Sequence, residues 1–224
     1  MSILTRKEIF GLLGTLGEME PGALGSMEEV LVRMTRSTSP LIRREACLLL
    51  GRGGIGREAL LNLLKDSHTA VREYAAEALG MKPLSPEARE ALLCLAAADP
   101  AGKVRAAAVR ALAAGWGKRA PKALHRIICQ ELLPGERSAL ARLACYESMC
   151  LLDPGCALHK ILELYKDAGI KVKSGILEAL FLLLSPENAE MIHDFLQGLM
   201  PDEEAFMVQE SHHNLQAALA QIRD

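Results

Sequence analysis

Small and apolar residues recur along the chain at offsets of four, seven and eight from a branched or apolar anchor, which is the stripe of an amphipathic helix. The stripe is unbroken in Val71, Ala75, Ala78 and Leu79. It lies inside "DSHTAVREYAAEALG", Asp66 to Gly80, and the unit returns as "DPAGKVRAAAVRALA" from Asp99. Upstream, "STSPLIRREACLLLG" from Ser37 keeps Ile-Arg, Ala, Leu and the final Gly. Downstream, "DAGIKVKSGILEALF" from Asp167 keeps Asp, Val-Lys, Glu and Ala-Leu. Two weaker copies begin at Glu136 and Asp202. The anchors Ile42, Val71, Val104, Ala141, Val172 and Met207 are separated by 29, 33, 37, 31 and 35 residues. A loose period near 33 predicts stacked helical repeats rather than a strict coiled coil.

Each repeat reads as two helices. Between the anchored ones lie "MEEVLVRM", "REALLNLL", "EAREALLCLAAA", "KALHRIICQELL", "CALHKILELY" and "NAEMIHDFL". Ser39-Pro40, Ser85-Pro86 and Ser185-Pro186 predict helix starts, a hydroxyl N-cap followed by Pro at the first helical position. No stretch sustains period-two alternation, so the expected class is all-α.

These units resemble HEAT repeats, in particular the short bacterial type also seen in phycobilisome-lyase-like proteins. The matching residues are Asp66, Val71, Arg72, Ala75, Ala78, Leu79 and Gly80, and the likeness runs over roughly residues 26–222. The resemblance implies a right-handed α-solenoid of about six helix pairs in a single domain, 26–222. Residues 1–25 are expected to supply an N-terminal capping helix and linker, with Thr5 and Glu8 fitting a capping box. The resemblance also implies a structural ladder in which the Asp before each second helix pairs with the basic residue after the anchor. Asp66, Arg72, Asp99, Arg105, Asp167 and Lys173 would form it. The alternative reading of the basic column Arg43, Arg72, Arg105, Arg142 and Lys173 is a row facing a groove that holds phosphates or carboxylates.

Gly51, Gly53 and Gly56 spell G-x-G-x-x-G, the spacing of a dinucleotide-binding turn. That fingerprint needs a buried strand before it. What precedes Gly51 is "RREACLLL", the end of an amphipathic helix. Gly51 and Gly80 are therefore expected at left-handed helix C-caps, Gly53, Gly54 and Gly56 in the following turn, and no cofactor is expected.

Half of the 224 residues are hydrophobic but only 4% are aromatic, so the core must come from Leu, Ala, Ile, Val and Met. Cys47, Cys94, Cys129 and Cys145 fall among apolar helical residues, where thiols pack as small hydrophobes, and a reduced, cytoplasmic setting follows. The apolar run after Arg6 and Lys7 is short and is followed by Glu18 and Glu20, unlike a signal peptide. No stretch is long and apolar enough for a membrane span.

The formal net charge of −2 hides a segregation. Residues 100–130 hold Lys103, Arg105, Arg110, Lys118, Arg119, Lys122 and Arg126 and no acid; residues 174–222 hold eight acids and no Lys or Arg. In a solenoid the two stretches would stay apart, unable to neutralise each other within one molecule. Trp116 stands between Gly115 and Gly117 in the basic stretch, either capping a gap between repeats or exposed as an anchor.

Cys150, Cys156 and His159, with Asp153 between, are the candidates for a metal site; Cys-x-x-His puts two ligands on one turn, but no second paired motif accompanies it, and no metal is expected. His212, His213, Glu210 and Glu203 are expected on a solvated helix face. No nucleophile elbow, phosphate loop or His-Glu-x-x-His occurs, and no enzyme activity is expected. The sequence thus predicts a protein-binding scaffold with a concave helical face. Arg110, Trp116, Lys118, Arg119 and Lys122 are its expected contact residues, meeting a protein that carries acidic groups. Head-to-tail self-association is a further expectation, with nucleic-acid binding through 100–130 and a HEAT-type lyase or accessory enzyme as the alternatives.

Overall fold

The computed structural model describes residues 11, 14–116, 121–152, 157–199 and 206–223. Packing divides the chain into two compact units, Met1–Ala120 and Pro121–Asp224. The described residues contain helices and no strand. Thr5 and Glu8 lie outside them.

In the first unit a 3-10 turn, Ala23–Met27, precedes six helices: α1 Glu28–Met34, α2 Pro40–Gly53, α3 Arg57–Leu63, α4 Thr69–Gly80, α5 Pro86–Ala98 and α6 Gly102–Gly115. The even-numbered second helices pack on one another in order, and each odd-numbered helix packs on the second helix of its own repeat. In the second unit α7, Pro121–Ile127, continues into a π-helical turn, Ile128–Leu132. It is followed by α8 Ala139–Leu152, α9 Leu158–Tyr165, α10 Ile170–Leu183, α11 Ala189–Gln197 and α12 Phe206–Arg223. Again the second helices α8, α10 and α12 pack in sequence.

The apolar stripe explains the core. Ile42, Ala46, Leu49 and Leu50 on α2 are buried, as are Val71, Ala75, Ala78 and Leu79 on α4. So are Val104, Ala108, Ala111 and Leu112 on α6, and Ala141, Cys145, Ser148 and Met149 on α8. The last repeat departs from the expected register by one residue. Met207 is 52% exposed, and the buried line on α12 is Val208, His212, Leu215 and Leu219. The weak repeat signal at Asp202 offered two adjacent apolar anchors, and packing selected the second.

The Ser-Pro starts divide in the same way. Ser85 caps α5, its Oγ accepting from the Ala88 N–H at 3.2 Å. Ser39 is the N-cap residue of α2, with Pro40 at the first position but no side-chain cap bond. Ser185-Pro186 does not open a helix: α11 begins at Ala189 after Asn188. There the Asn188 amide closes the preceding turn, accepting from the Ser185 N–H at 2.9 Å and donating to the Leu183 carbonyl at 2.8 Å.

Gly54 and Gly56 lie in the turn between α2 and α3 as expected, but Gly51 and Gly80 have a different cause from the expected one. Gly51 lies inside α2, Gly80 is the last residue of α4, and both are buried. They are not left-handed caps; Gly54, at φ 66°, ends α2 in that conformation. What Gly51 and Gly80 provide is close approach between second helices. A Cβ on Gly80 would lie 2.6 Å from Ala111 Cα, and one on Gly51 would lie 2.8 Å from Ala78 Cα. The helix running into Gly51 also means that the strand–turn–helix of a dinucleotide site is not the local geometry here.

Alanine gains about 1 kcal/mol over glycine in a helix interior. Overpacking against backbone costs about 1–3 kcal/mol, and backbone cannot step aside as a flexible side chain can. Gly80→Ala should therefore destabilise the first unit despite its better propensity, as should Ala75→Leu at a fully buried contact. Gly14→Ala, with nothing within 4 Å of the new Cβ, should be neutral or stabilising. Urea unfolding of the three variants checks the order; equal midpoints for Gly80→Ala and Gly14→Ala would remove close approach as the reason for Gly80.

Candidate interaction surface

The first unit is held in register by a relay of arginines and aspartates. Arg43 Nε and Nη2 donate to Asp66 at 2.7 and 2.8 Å, and its Nη1 donates to the Ser37 carbonyl at 2.8 Å. One repeat on, Arg72 donates to both Asp99 oxygens at 2.7 and 3.0 Å, while its Nη1 reaches the Asp66 carbonyl at 2.9 Å. Arg105 Nη1 bonds the Asp99 carbonyl at 2.7 Å. Each aspartate also accepts the N–H two residues ahead, His68 for Asp66 and Ala101 for Asp99. The spacing of six from Asp to Arg thus lets one guanidinium close its own repeat's loop and clamp the carboxylate of the next repeat. Such a planar fork is a bidentate geometry that lysine cannot reproduce.

In the second unit the counterparts are engaged differently. Lys173 Nζ lies 5.1 Å from the centre of the Tyr165 ring. Arg142 keeps a buried Nε with no hydrogen-bond partner. Glu136 takes the turn-closing role, accepting the Ser138 N–H at 2.7 Å.

Burial pushes the Asp66 and Asp99 carboxyls up, but the arginine and backbone bonds outweigh it and hold both below the usual carboxylate range. A depressed carboxylate contributes stability that is present above its unfolded pKa of about 3.9 and lost as pH falls through the folded value.

With the relay at one edge, the second helices carry a charged surface. Lys103 of α6 pairs with Glu73 of α4 at 2.6 Å. Desolvation, with Glu73 next, pushes the Glu77 carboxyl above its ordinary range, against the pull of Arg110 and Lys103. On the α2 side the Arg44 guanidinium pairs with Glu45 and lies 5.3 Å from the Tyr74 ring centre. Arg110 is exposed, but its charge answers Glu77 within the unit. Trp116 is half-buried at the end of α6, with the Arg89 guanidinium 5.6 Å from its ring centre. It therefore caps α5 and α6 while keeping part of its ring accessible. Lys122 is exposed on α7, and Lys118 and Arg119 lie outside the described residues.

The metal candidates do not assemble within what is described. Cys150 is buried on α8 and His159 exposed on α9, and Cys156 lies outside the described residues. Among the described residues no group of three His, Cys, Asp or Glu side chains could hold a metal ion. The expected solvated face of α12 is corrected at His212, which is 4% exposed with an unpartnered Nε2, while His213 points to solvent. Cys94 and Cys129 are exposed rather than packed. Cys47 and Cys145 are buried, and burial pushes their thiols up to about 12.

The sequence reading missed two features. The Glu73–Lys103 pairing joins residues 30 apart that no linear window brings together. The apolar opening between α10 and α12, edged by Phe181, Leu182 and Met207, emerges only once the α12 register is known. Residues 27–113 match the family model for HEAT repeats. No curated protein matches the chain. No helix among the described residues is long and apolar enough to cross a membrane.

Breaking a buried ion pair by removing one partner costs about 3–5 kcal/mol. Arg72→Ala should therefore cost the first unit on that order in urea unfolding, leaving the 3%-exposed Asp99 side chain with its backbone bond. Stability of the wild type should fall below about pH 4, and Asp66→Asn with Asp99→Asn should flatten that fall. A thiol probe followed by peptide mapping should label Cys94 and Cys129 in the folded protein, and Cys47 and Cys145 only after unfolding.

Proposed function

We propose that this chain, whose residues 27–113 match the HEAT-repeat family model, is a protein-binding scaffold with no chemistry of its own. The observation that carries the reading is the second-helix surface of the first unit. It is charged, reaches solvent, and is built on helices that the arginine–aspartate relay fixes in register. Rigid presentation lowers the ordering cost of binding, and charge pairs arranged in a mosaic give specificity more than raw affinity. Glu73, Glu77, Lys103 and Arg110 make that mosaic, and Trp116, half-buried at the end of α6, extends the expected contact region within the first unit. The partner is a protein with acidic groups able to compete for Lys103 and Arg110.

Nucleic-acid binding fits less well, because Lys103 and Arg110 are met by Glu73 and Glu77 and the net charge is −2. A phosphate backbone rewards an uncompensated basic track. The cytoplasm is the compartment consistent with buried, reduced thiols such as Cys47 and Cys145.

A photo-crosslinking residue placed at Glu77 or Arg110 should capture a protein from native extract, with capture falling as salt is raised. The same probe at Glu90 on α5 should not capture it. Capture that is indifferent to position, or a salt-sensitive shift of labelled nucleic acid by the chain, would sink the reading.

A further inference from the structure

In the second unit a groove of about 740 Å³ runs between α10 and α12. A hydrogen bond between Ser174 Oγ and Ser211 Oγ, 3.0 Å, fixes the two helices in register beside it. Its walls are apolar and open: Phe181 is 47% exposed, Leu182 80% and Met207 52%, and Phe206 next to it is 78% exposed. Residues of this size and exposure gathered on one face mark an interaction site rather than ordinary surface scatter. The floor on α12 is small, with Ala217 and Ala218, so a side chain from outside could enter. Two carboxylates, Glu178 and Glu210, stand on the lining.

Those carboxylates belong to a segment, 174–222, with eight acids and no Lys or Arg. Lys173, next along α10, is turned to the Tyr165 ring. Lys171 and Arg223 lie only at the ends. The groove thus joins apolar walls to two exposed carboxylates, Glu178, which accepts from Ser174 Oγ at 3.2 Å, and Glu210. The α12 lining runs from Met207 to Gln221, about 21 Å at 1.5 Å per residue, the length of a four-turn helix. An extended peptide would bring unpaired backbone groups to a surface of helices with no strand edge to receive them. A helix brings its backbone already satisfied.

We propose that the α10–α12 groove binds a basic amphipathic helix of a partner protein. Leu, Met or Phe anchors at i, i+3 or i+4 and i+7 seat between Phe181, Leu182 and Met207, and Lys or Arg beside them meet Glu178 and Glu210. This rests on the scaffold reading and adds the chemistry of one partner. A second copy docking through the same face is disfavoured, since it would set like charges opposite each other.

The test uses the full chain and a fluorescein-labelled synthetic helix of about 16 residues with a leucine stripe and flanking lysines. Fluorescence anisotropy should give a dissociation constant of roughly micromolar order. Replacing the lysines by glutamates should weaken binding about tenfold or more, as should raising salt from about 50 to about 300 mM. Glu178→Lys with Glu210→Lys should weaken it similarly, and Leu182→Ser should do so without the salt dependence changing. All three positions are solvent-exposed, and an unchanged helical circular-dichroism spectrum confirms the fold of each variant. Equal binding of the acidic peptide, or binding indifferent to the double reversal, would overturn the proposal. So would a dimer in sedimentation that Leu182→Ser disperses, which would assign the groove to a second copy. If no peptide binds while crosslinking at Glu77 still captures a protein, the groove proposal fails and the scaffold reading stands; if both fail, both fall.

Discussion

The arginine–aspartate relay is the constraint on which the first unit depends. Second helices meet closely at Gly51 against Ala78 and at Gly80 against Ala111, between rows of buried Leu, Ile and Val. Arg43 and Arg72 tie that packing to one register, bonding backwards to their own loops and forwards to Asp66 and Asp99. Each guanidinium therefore measures the distance between successive repeats. Small residues permit the close approach, and the bidentate pair fixes its position; neither suffices alone.

This coupling explains what was legible in the sequence. Asp, then Val-Arg six and fewer residues on, then Ala and Ala-Leu-Gly is the linear trace of that geometry, and where all parts occur the helices and buried stripe follow. The stretch matching HEAT repeats, 27–113, lies in the unit where the relay is intact. In the second unit the parts are replaced one by one: Glu136 closes a turn, Lys173 covers a tyrosine and Arg142 Nε goes unpartnered. There the helices were still readable from periodicity, but the register of α12 was not. Met207 and Val208 are both apolar, and only contact with α10 and α11 decides between them.

The candidate surface was less legible, for a different reason. Linear windows count charge along the chain, whereas a repeat protein compensates charge across it. Lys103 and Arg110 belong to an acid-free stretch, yet Glu73 and Glu77 answer them from the neighbouring second helix. The reading of Gly51 and Gly80 as left-handed caps failed in a related way, whereas Gly54 and Gly56 do lie in the turn between α2 and α3. A glycine just after a leucine of the stripe looks like a left-handed cap, but at Gly51 and Gly80 the demand comes from Ala78 and Ala111 on the next second helix.

The two units thus make different use of one architecture. In the first, charges on adjacent second helices pair laterally, so a partner must exchange pairs already made; such exchange favours discrimination over strength. In the second, the acids of α10 and α12 have no basic neighbours on the intervening segment, and bulky apolar side chains stand beside them. A partner there gains both burial of Leu182 and Phe181 and neutralisation of Glu178 and Glu210. Burying apolar side chains contributes about 25 cal/mol for each Å² removed from water, whereas an exposed ion pair contributes about 0–1 kcal/mol. Affinity in the second unit is therefore governed by the apolar walls, and its choice of partner by the carboxylates.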